Sequence, residues 1–411
     1  MNKRIHALIF SFSSVCFLLL LHFLPINQAF IDPFSEYIKH QDLMDITCSR
    51  FRDHMDPKLF DNRIFIINTG VTDRQKIISA IDFLQRHSVR AVGVDLLFDS
   101  LAGNAQDTVF HNLVGNATST VFAKVYHGRA QGSASDSAEF SHSFLVPVNH
   151  QFYVNLGTDD GYTARSFQPF YHGQGAVPSF PVAIAAKMDS HSVNQLGARG
   201  FIKEWINFRR FQSATNDPSG RKERSFPNYA VVDLDRFLED TASYESNYFA
   251  DKAVLFGFCD IKTAASLKDR YFTPLNQVPV GRSLPDMYGV VIHANIISMI
   301  LDNDYINELN VFITLIVAFL IFGFNYLLFE KIHHRKYFFN LALIRLLQLL
   351  QFVILFSISI WMLAQHNLKL GFVMLVAAII FSFELWEFYF LKLRWRIDAL
   401  FARWSEKLKN A

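Results

Sequence analysis

Arg63–Thr69 reads RIFIINT and Arg90–Leu97 reads RAVGVDLL. Each is a short, β-rich apolar run, the pattern of a strand covered on both faces. Between them, Asp73–His87 sets Ile77, Ile78, Ile81 and Leu84 at helical spacing, with Asp73 placed to cap the helix. Asn104–Val114 continues as a second helix and Thr120–Tyr126 as a third strand. Parallel strands need a crossover between them, so this β-α-β-α-β series predicts an α/β domain with a mostly parallel sheet and flanking helices. Strand-like Phe144–Asn155, Tyr229–Leu234 and Lys252–Phe258, and helical Pro181–Met188 and Gly289–Leu301, extend the series. The Gly/Ser/Ala-rich stretch from Gly128 to Glu139 reads as a mobile loop and Gln212–Arg224 as a second polar break.

The chain around this series is far more apolar. Of 411 residues 51% are hydrophobic and 18% charged, with mean hydropathy +0.17, against about 25% charged in soluble domains. Ile5–Leu24 carries no Asp, Glu, Lys or Arg and is long enough for a bilayer core, which needs about 20 residues. Asn27-Gln28-Ala29 is a poor cleavage site, so the run is expected to stay as an anchor. Val311–Phe329, Leu341–Leu363 and Leu370–Phe390 are three further spans. Lys3 and Arg4, the Lys331–Lys336 connection and the tail from Leu391 are the basic places, and four spans put all three on the cytoplasmic side. The expected organisation is an anchor over 1–24, an extracytoplasmic α/β domain over 25–308, a three-helix transmembrane bundle over 309–390, and a basic amphipathic cytoplasmic tail over 391–411. That is a multi-pass inner (plasma) membrane protein with both termini cytoplasmic.

The net charge of +2 divides accordingly. Residues 25–308 hold 26 Lys/Arg and 32 Asp/Glu (−6), and the rest hold 13 and 5 (+8). An acidic exported region gives no basis for nucleic-acid binding. It also carries 24 of the 43 Phe, so its core, or a groove on it, is Phe-rich. Cys48 and Cys259 would share an oxidising compartment. A disulfide between them and two buried thiols are both open, the thiols being the expectation. There is no Walker loop, no Gly-x-Ser-x-Gly elbow, no His-Glu-x-x-His helix and no Cys-x-x-Cys pair. No catalytic residue, cofactor or metal ligand set is therefore assigned, and the chain is not expected to be an enzyme. Asn116-Ala117-Thr118 matches a glycosylation tripeptide that is common by chance.

Three stretches occur together in a telling order: Ala91–Asp99 (AVGVDLLFD), Asp269–Leu275 (DRYFTPL) and Met287–Ile297 (MYGVVIHANII). With the opening helix Asp45–Arg52, and one span before and three after, they resemble the type-2 CHASE domain, an extracellular sensory domain of bacterial signalling proteins. The resemblance runs from about Asp42 to Asp304, and the Gly-x-x-x-His-Ala-Asn element is its most specific part. Thr69-Gly70-Val71-Thr72-Asp73 stands where the family has a Pro/Trp-rich turn. Members usually continue into a kinase or cyclase. Here about 20 residues follow the last span, so a sensory module without its own catalytic output is expected, acting through a separate partner.

Ligands of open α/β sheets bind beyond the carboxyl ends of the strands. Asp95, Asp99 and Asp260 follow strands there, and Asp269, Arg270 and His293 come from the family-like segments. These six form the candidate ligand pocket; Asp95 capping a helix or pairing with Arg270 is the structural alternative. In the spans, Asn325, Arg345, Gln348, Glu384 and Glu387 lie near the cytoplasmic face. Charges in lipid are costly without partners, so an Arg345–Glu384 pair with Gln348 and Asn325 beside it is expected to join the three C-terminal helices. Expected partners are the bilayer and a protein at the exported domain, bundle or tail; self-association stays open. A structural or assembly component of an envelope complex is the alternative function, and an envelope enzyme ranks third.

Overall fold

The computed structural model describes residues 2–23, 42–52, 60–70, 74–98, 105–116, 118–127, 139–141, 146–158, 163–173, 175–209, 229–259, 269–276, 284–333 and 337–409. Asp73, the Gly128 loop, the Gln212 break and Ala117 of the glycosylation tripeptide fall outside them. The chain divides into two compact units, Met1–Ser35 with Asn307–Ala411, and Glu36–Ile306.

The Glu36–Ile306 unit is built on six parallel strands: β1 (Ile64–Asn68), β2 (Ala91–Val94), β3 (Thr120–His127), β4 (Gln151–Tyr153), β5 (Ala230–Asp233) and β6 (Ala253–Gly257). They lie in the order β5-β1-β6-β2-β3-β4, with Glu139–Ser141 added antiparallel on β3. The expected strand Phe144–Asn155 is shorter than its composition suggested. A 3₁₀ turn, Val148–His150, follows Pro147, and among its described residues only Gln151–Tyr153 forms a strand; a proline without an N–H suits a strand's margin and not its middle. Helix α2 (Leu43–Arg50) precedes β1, and helices α3 (Arg74–Arg86), α4 (Ala105–Asn116) and α7 (Leu234–Glu239) cover one face of the sheet. Helices α5 (Phe180–Met188), α6 (Ser190–Arg199) and α8 (Gly289–Asp302) cover the other.

Strand side chains alternate between faces, and here the two faces differ in bulk. Phe65, Ile67, Val92, Val94, Val254 and Phe256 face α3, α4 and α7 and meet Phe98, Phe110, Phe122, Phe237 and Phe249 in one core. Much of the phenylalanine excess is thus core. Ala91, Gly93, Ala253, Leu255 and Gly257 take the opposite parity. There a Cβ on Gly257 would stand 2.6 Å from the Val290 Cβ, and one on Gly93 2.4 Å from Ile184 Cδ1. The missing side chains let α8 and α5 lie close on the sheet.

The other unit is helical. Among the described residues four segments are long and apolar enough to cross a membrane: Lys3–Leu21, Val311–His333, Leu341–His366 and Phe372–Trp404. They lie in α1 (Lys3–Phe23), α9 (Val311–His333), α10 (Tyr337–His366), α11 (Phe372–Phe388) and α12 (Arg394–Lys409). The last two are joined without a break by a π-helical turn, Tyr389–Leu393, so the tail helix runs on from the last span. α9 packs along α1 and α11, and α10 rests mainly on α11. Asn307–Glu308, before α9, pair in parallel with Leu368–Lys369, between α10 and α11.

Candidate functional site

Two residues past Gly93, Asp95 keeps its parity and its backbone N–H donates to Phe256 O at 2.8 Å. Its carboxyl is thereby on the face covered by α8, where His293 presents Nε2 3.9 Å from Asp95 Oδ2. That gap is too wide for a hydrogen bond. His293 is buried, with the Phe180 ring edge-on at 5.2 Å. Its Nδ1 has no hydrogen-bond partner among the described residues. Burial lowers the imidazole to about 3, so it stays neutral. The Asp95 side chain is 13% exposed; burial first, then the charge of Asp269, pushes its carboxyl well above the usual carboxylate range.

Asp269 reaches this place through two backbone devices. Its φ of +57° is a left-handed conformation that Asp tolerates better than most residues. Its carbonyl accepts the Gly289 N–H at 3.0 Å. A Cβ on Gly289 would lie 3.0 Å from both Asp269 carboxylate oxygens, so the glycine makes room for that carboxylate at the N-terminus of α8, where negative charge is favoured. Arg270–Tyr271 pairs antiparallel with Met287–Tyr288, which holds the segment in register. Burial, then Asp269 and Asp95, pushes the Tyr271 hydroxyl up to about 12. The Arg270 guanidinium lies 5.1 Å from the Tyr288 ring centroid. Asp286 accepts from the Thr273 N–H at 2.8 Å and from its hydroxyl, yet burial lifts it to about 6.

Asp95, Asp269 and His293 therefore converge, with Arg270 beside them on Tyr288. Asp95 faces His293, while the Arg270 guanidinium stands over the Tyr288 ring. Asp99 and Asp260 lie outside the described residues. Among the described residues no group of three or more His, Cys, Asp or Glu is placed to hold a metal. The cluster offers a carboxyl held above the usual carboxylate range, a neutral imidazole and a second carboxyl beside them, a set that suits polar recognition and proton exchange. A cavity of about 120 Å³ lies elsewhere, lined by residues including Tyr153, Tyr171, Gln168 and Lys203.

Several residues of this region were not singled out from sequence. Asn68, ending β1, accepts from the Cys259 N–H at 3.0 Å and the Gly70 N–H at 3.2 Å and donates to Asp233 Oδ1 at 2.9 Å, tying three strand ends together. Cys259 and Cys48, the pair left open from sequence, are buried thiols not joined in a disulfide. At the far end of α8, Asp302 pairs with Arg209 and with Arg63 at 2.8 Å. Arg63 also holds Asp61 at 2.7 Å, and Ser298 donates to Asp61 at 2.8 Å. The only advance signal for these was a polar residue at the margin of an apolar run.

In the helical unit Arg345 donates to Glu384 at 2.7 Å and to Gln348 Oε1 at 2.9 Å. Gln348 donates to Ile379 O at 2.7 Å. Asn325 and Gln351 exchange two amide bonds, 2.7 and 3.2 Å, and Asn325 also donates to Ser382 at 3.0 Å. The group thus links α9, α10 and α11. Glu387 is not joined to it among the described residues. Gln351 and Ser382, uncharged within apolar runs, escaped notice. So did a second group: His6 meets Tyr389 at 3.0 Å and Asp398 at 3.2 Å, while Glu330 meets Arg394 at 3.2 Å and Lys3 at 3.6 Å.

Comparison with protein-family models matches residues 61–324 to the CHASE2 domain, from just before β1 to within α9. No curated protein and no solved structure matched the chain.

Proposed function

The chain belongs to the CHASE2 domain family, a family of sensory domains, and on that premise we propose that it is a membrane-bound sensory module whose stimulus is read at Asp95, Asp269 and His293 and passed along α8. The observation that carries this reading is the placement of α8. Its first turns carry Gly289 and His293 at the strand ends, its last residue Asp302 is clamped by Arg63 and Arg209, and a few residues later the chain enters α9. A packed helix moves as a unit, so a ligand or proton that changes the neutral Asp95–His293 contact biases the whole helix.

Exported placement of Glu36–Ile306 fits the same reading. Asn307–Glu308 and Leu368–Lys369 pair at one end of the helical unit, while Lys3, Glu330 and Arg394 gather at the other. The positive-inside tendency makes that second end cytoplasmic. On this reading the module acts through a separate partner protein.

The test is a thermal-shift survey of the full chain in lipid nanodiscs against small carboxylates, amines and sugars, run in parallel on Asp95→Asn and His293→Gln. A compound class that stabilises the parent and neither variant supports the site. Equal shifts in all three, or none beside a stably co-purifying envelope protein, would turn the reading toward assembly.

A further inference from the structure

Past the roughly 20 residues from Phe372 that a bilayer core takes up, α12 carries a seam that the bundle leaves uncovered among the described residues. Trp386, Phe390, Leu393, Ile397, Leu400 and Trp404 recur at spacings that alternate four and three, the repeat that keeps one stripe facing a partner helix. The first four pack into the core of the helical unit. Leu400 and Trp404, on the same stripe, are 64% and 59% exposed, and Phe401 beside them is 45% exposed. Arg396 and Arg403, seven residues apart, line one edge of the stripe. Asp398 is turned to His6 and Arg394 to Glu330, so neither joins that edge.

The direction of the helix argues for a protein occupant over lipid. From Phe372 to Lys409 the α-π-α run is about 57 Å long at ~1.5 Å per residue, against a hydrocarbon core of about 30 Å. Asp398 and Arg394 still touch the ends of α1 and α9, so the helix follows the bundle there instead of turning across it. A second copy fits poorly. Antiparallel pairing would face the arginine edges to each other, and parallel pairing would set Arg396 and Arg403 against apolar positions.

We infer that the Leu400–Trp404 seam of α12 docks an amphipathic helix with acidic flanks, belonging to a separate cytoplasmic protein. This rests on the proposed topology and names the surface by which the module would act on its partner.

The test uses the full chain in zwitterionic nanodiscs and two labelled four-heptad peptides, both with Leu at a and d, one with Glu and the other with Lys at e and g. The Glu peptide is expected to bind about tenfold or more tighter by anisotropy. Arg396→Glu with Arg403→Glu should reverse that order, and Leu400→Asp should weaken both peptides. Equal binding, or an order unmoved by charge reversal, overturns the proposal. So does spontaneous disulfide linkage between copies carrying Trp404→Cys, which points to self-pairing. A spin label at position 404 that sinks below the headgroups when anionic lipid is added points to a membrane surface and also overturns it. Peptide binding needs no stimulus, so a failed Asp95 or His293 experiment leaves this result standing, and the reverse holds too.

Discussion

Two polar clusters sit in this molecule under opposite rules. In the helical unit, Asn325, Gln351, Gln348 and Ser382 use one another's donors and acceptors nearly in full. At the strand ends, Asp95 and His293 face each other across 3.9 Å, the His293 Nδ1 has no partner among the described residues, and Asp269 holds a left-handed backbone. Buried polar groups are normally paired, and the exceptions call for a reason. The satisfied cluster is what glue looks like. The other fits the proposed site, where a bound ligand or proton would supply the partner that the His293 Nδ1 lacks among the described residues, since local rules break most often where function resides.

The contrast breaks most visibly if α8 is pried off the sheet. Gly257→Val would drive a side chain into Val290, and we expect a loss of about 3 kcal/mol in thermal unfolding of the full chain. A cost under ~1 kcal/mol would mean that α8 is not seated as described. Next, Asn325→Leu should cost about 1–2 kcal/mol by leaving the Gln351 amide without its partner, and adding Gln351→Leu should return part of it. Additive losses would show that the two amides are not paired.

Proton linkage sharpens the comparison further. Asp286 is raised to about 6, so its contribution is full below the ordinary carboxylate value near 4 and is lost as pH rises through about 6. Asp286→Asn should remove on the order of 3 kcal/mol of pH dependence across that window. His293, lowered to about 3, acts in the other sense: stability falls as pH drops below the imidazole's ordinary value, and His293→Gln should flatten that acid limb. The smallest effect is expected at Arg345 and Glu384, each about half exposed. Exchanging them (Arg345→Glu with Glu384→Arg) should cost less than ~1 kcal/mol, and should restore membrane yield lost in Arg345→Glu alone.

Legibility from sequence followed the range of each interaction. Asp95 was readable because strand parity and the end of an apolar run are local, and α8 because its apolar content and Gly-x-x-x-His-Ala-Asn element are contiguous. Arg345 and Glu384 stood out because charge inside an apolar run is conspicuous. Asn68, the room that Gly289 makes for Asp269, and the Asp302 clamp were not readable. Each acquires its role from a residue far away in the chain, as when Asn68 meets Cys259, or from a side chain it lacks, as when Gly289 admits Asp269. Ser382 and Gln351 were hidden for a related reason: an uncharged polar residue in a span looks neutral until its partner on another helix is known. The α12 seam was visible as amphipathy, but which part of it stays uncovered required the packing of Leu393 and Ile397.

On the proposed reading, the protonation state of the strand-end cluster sets the state of α8 and of the helix that follows it. Hydrogen exchange of the full chain in nanodiscs, read over Gly289–Asp302 and Val311–His333 as pH is raised, tests it most directly. Asp95 is held above the usual carboxylate range by burial and by Asp269, so its stabilisation is lost as pH rises through its folded value. The account predicts faster exchange in both segments of the parent and little change in Asp95→Asn. Identical profiles in the two proteins, or a change that stops at Asp302, would contradict it.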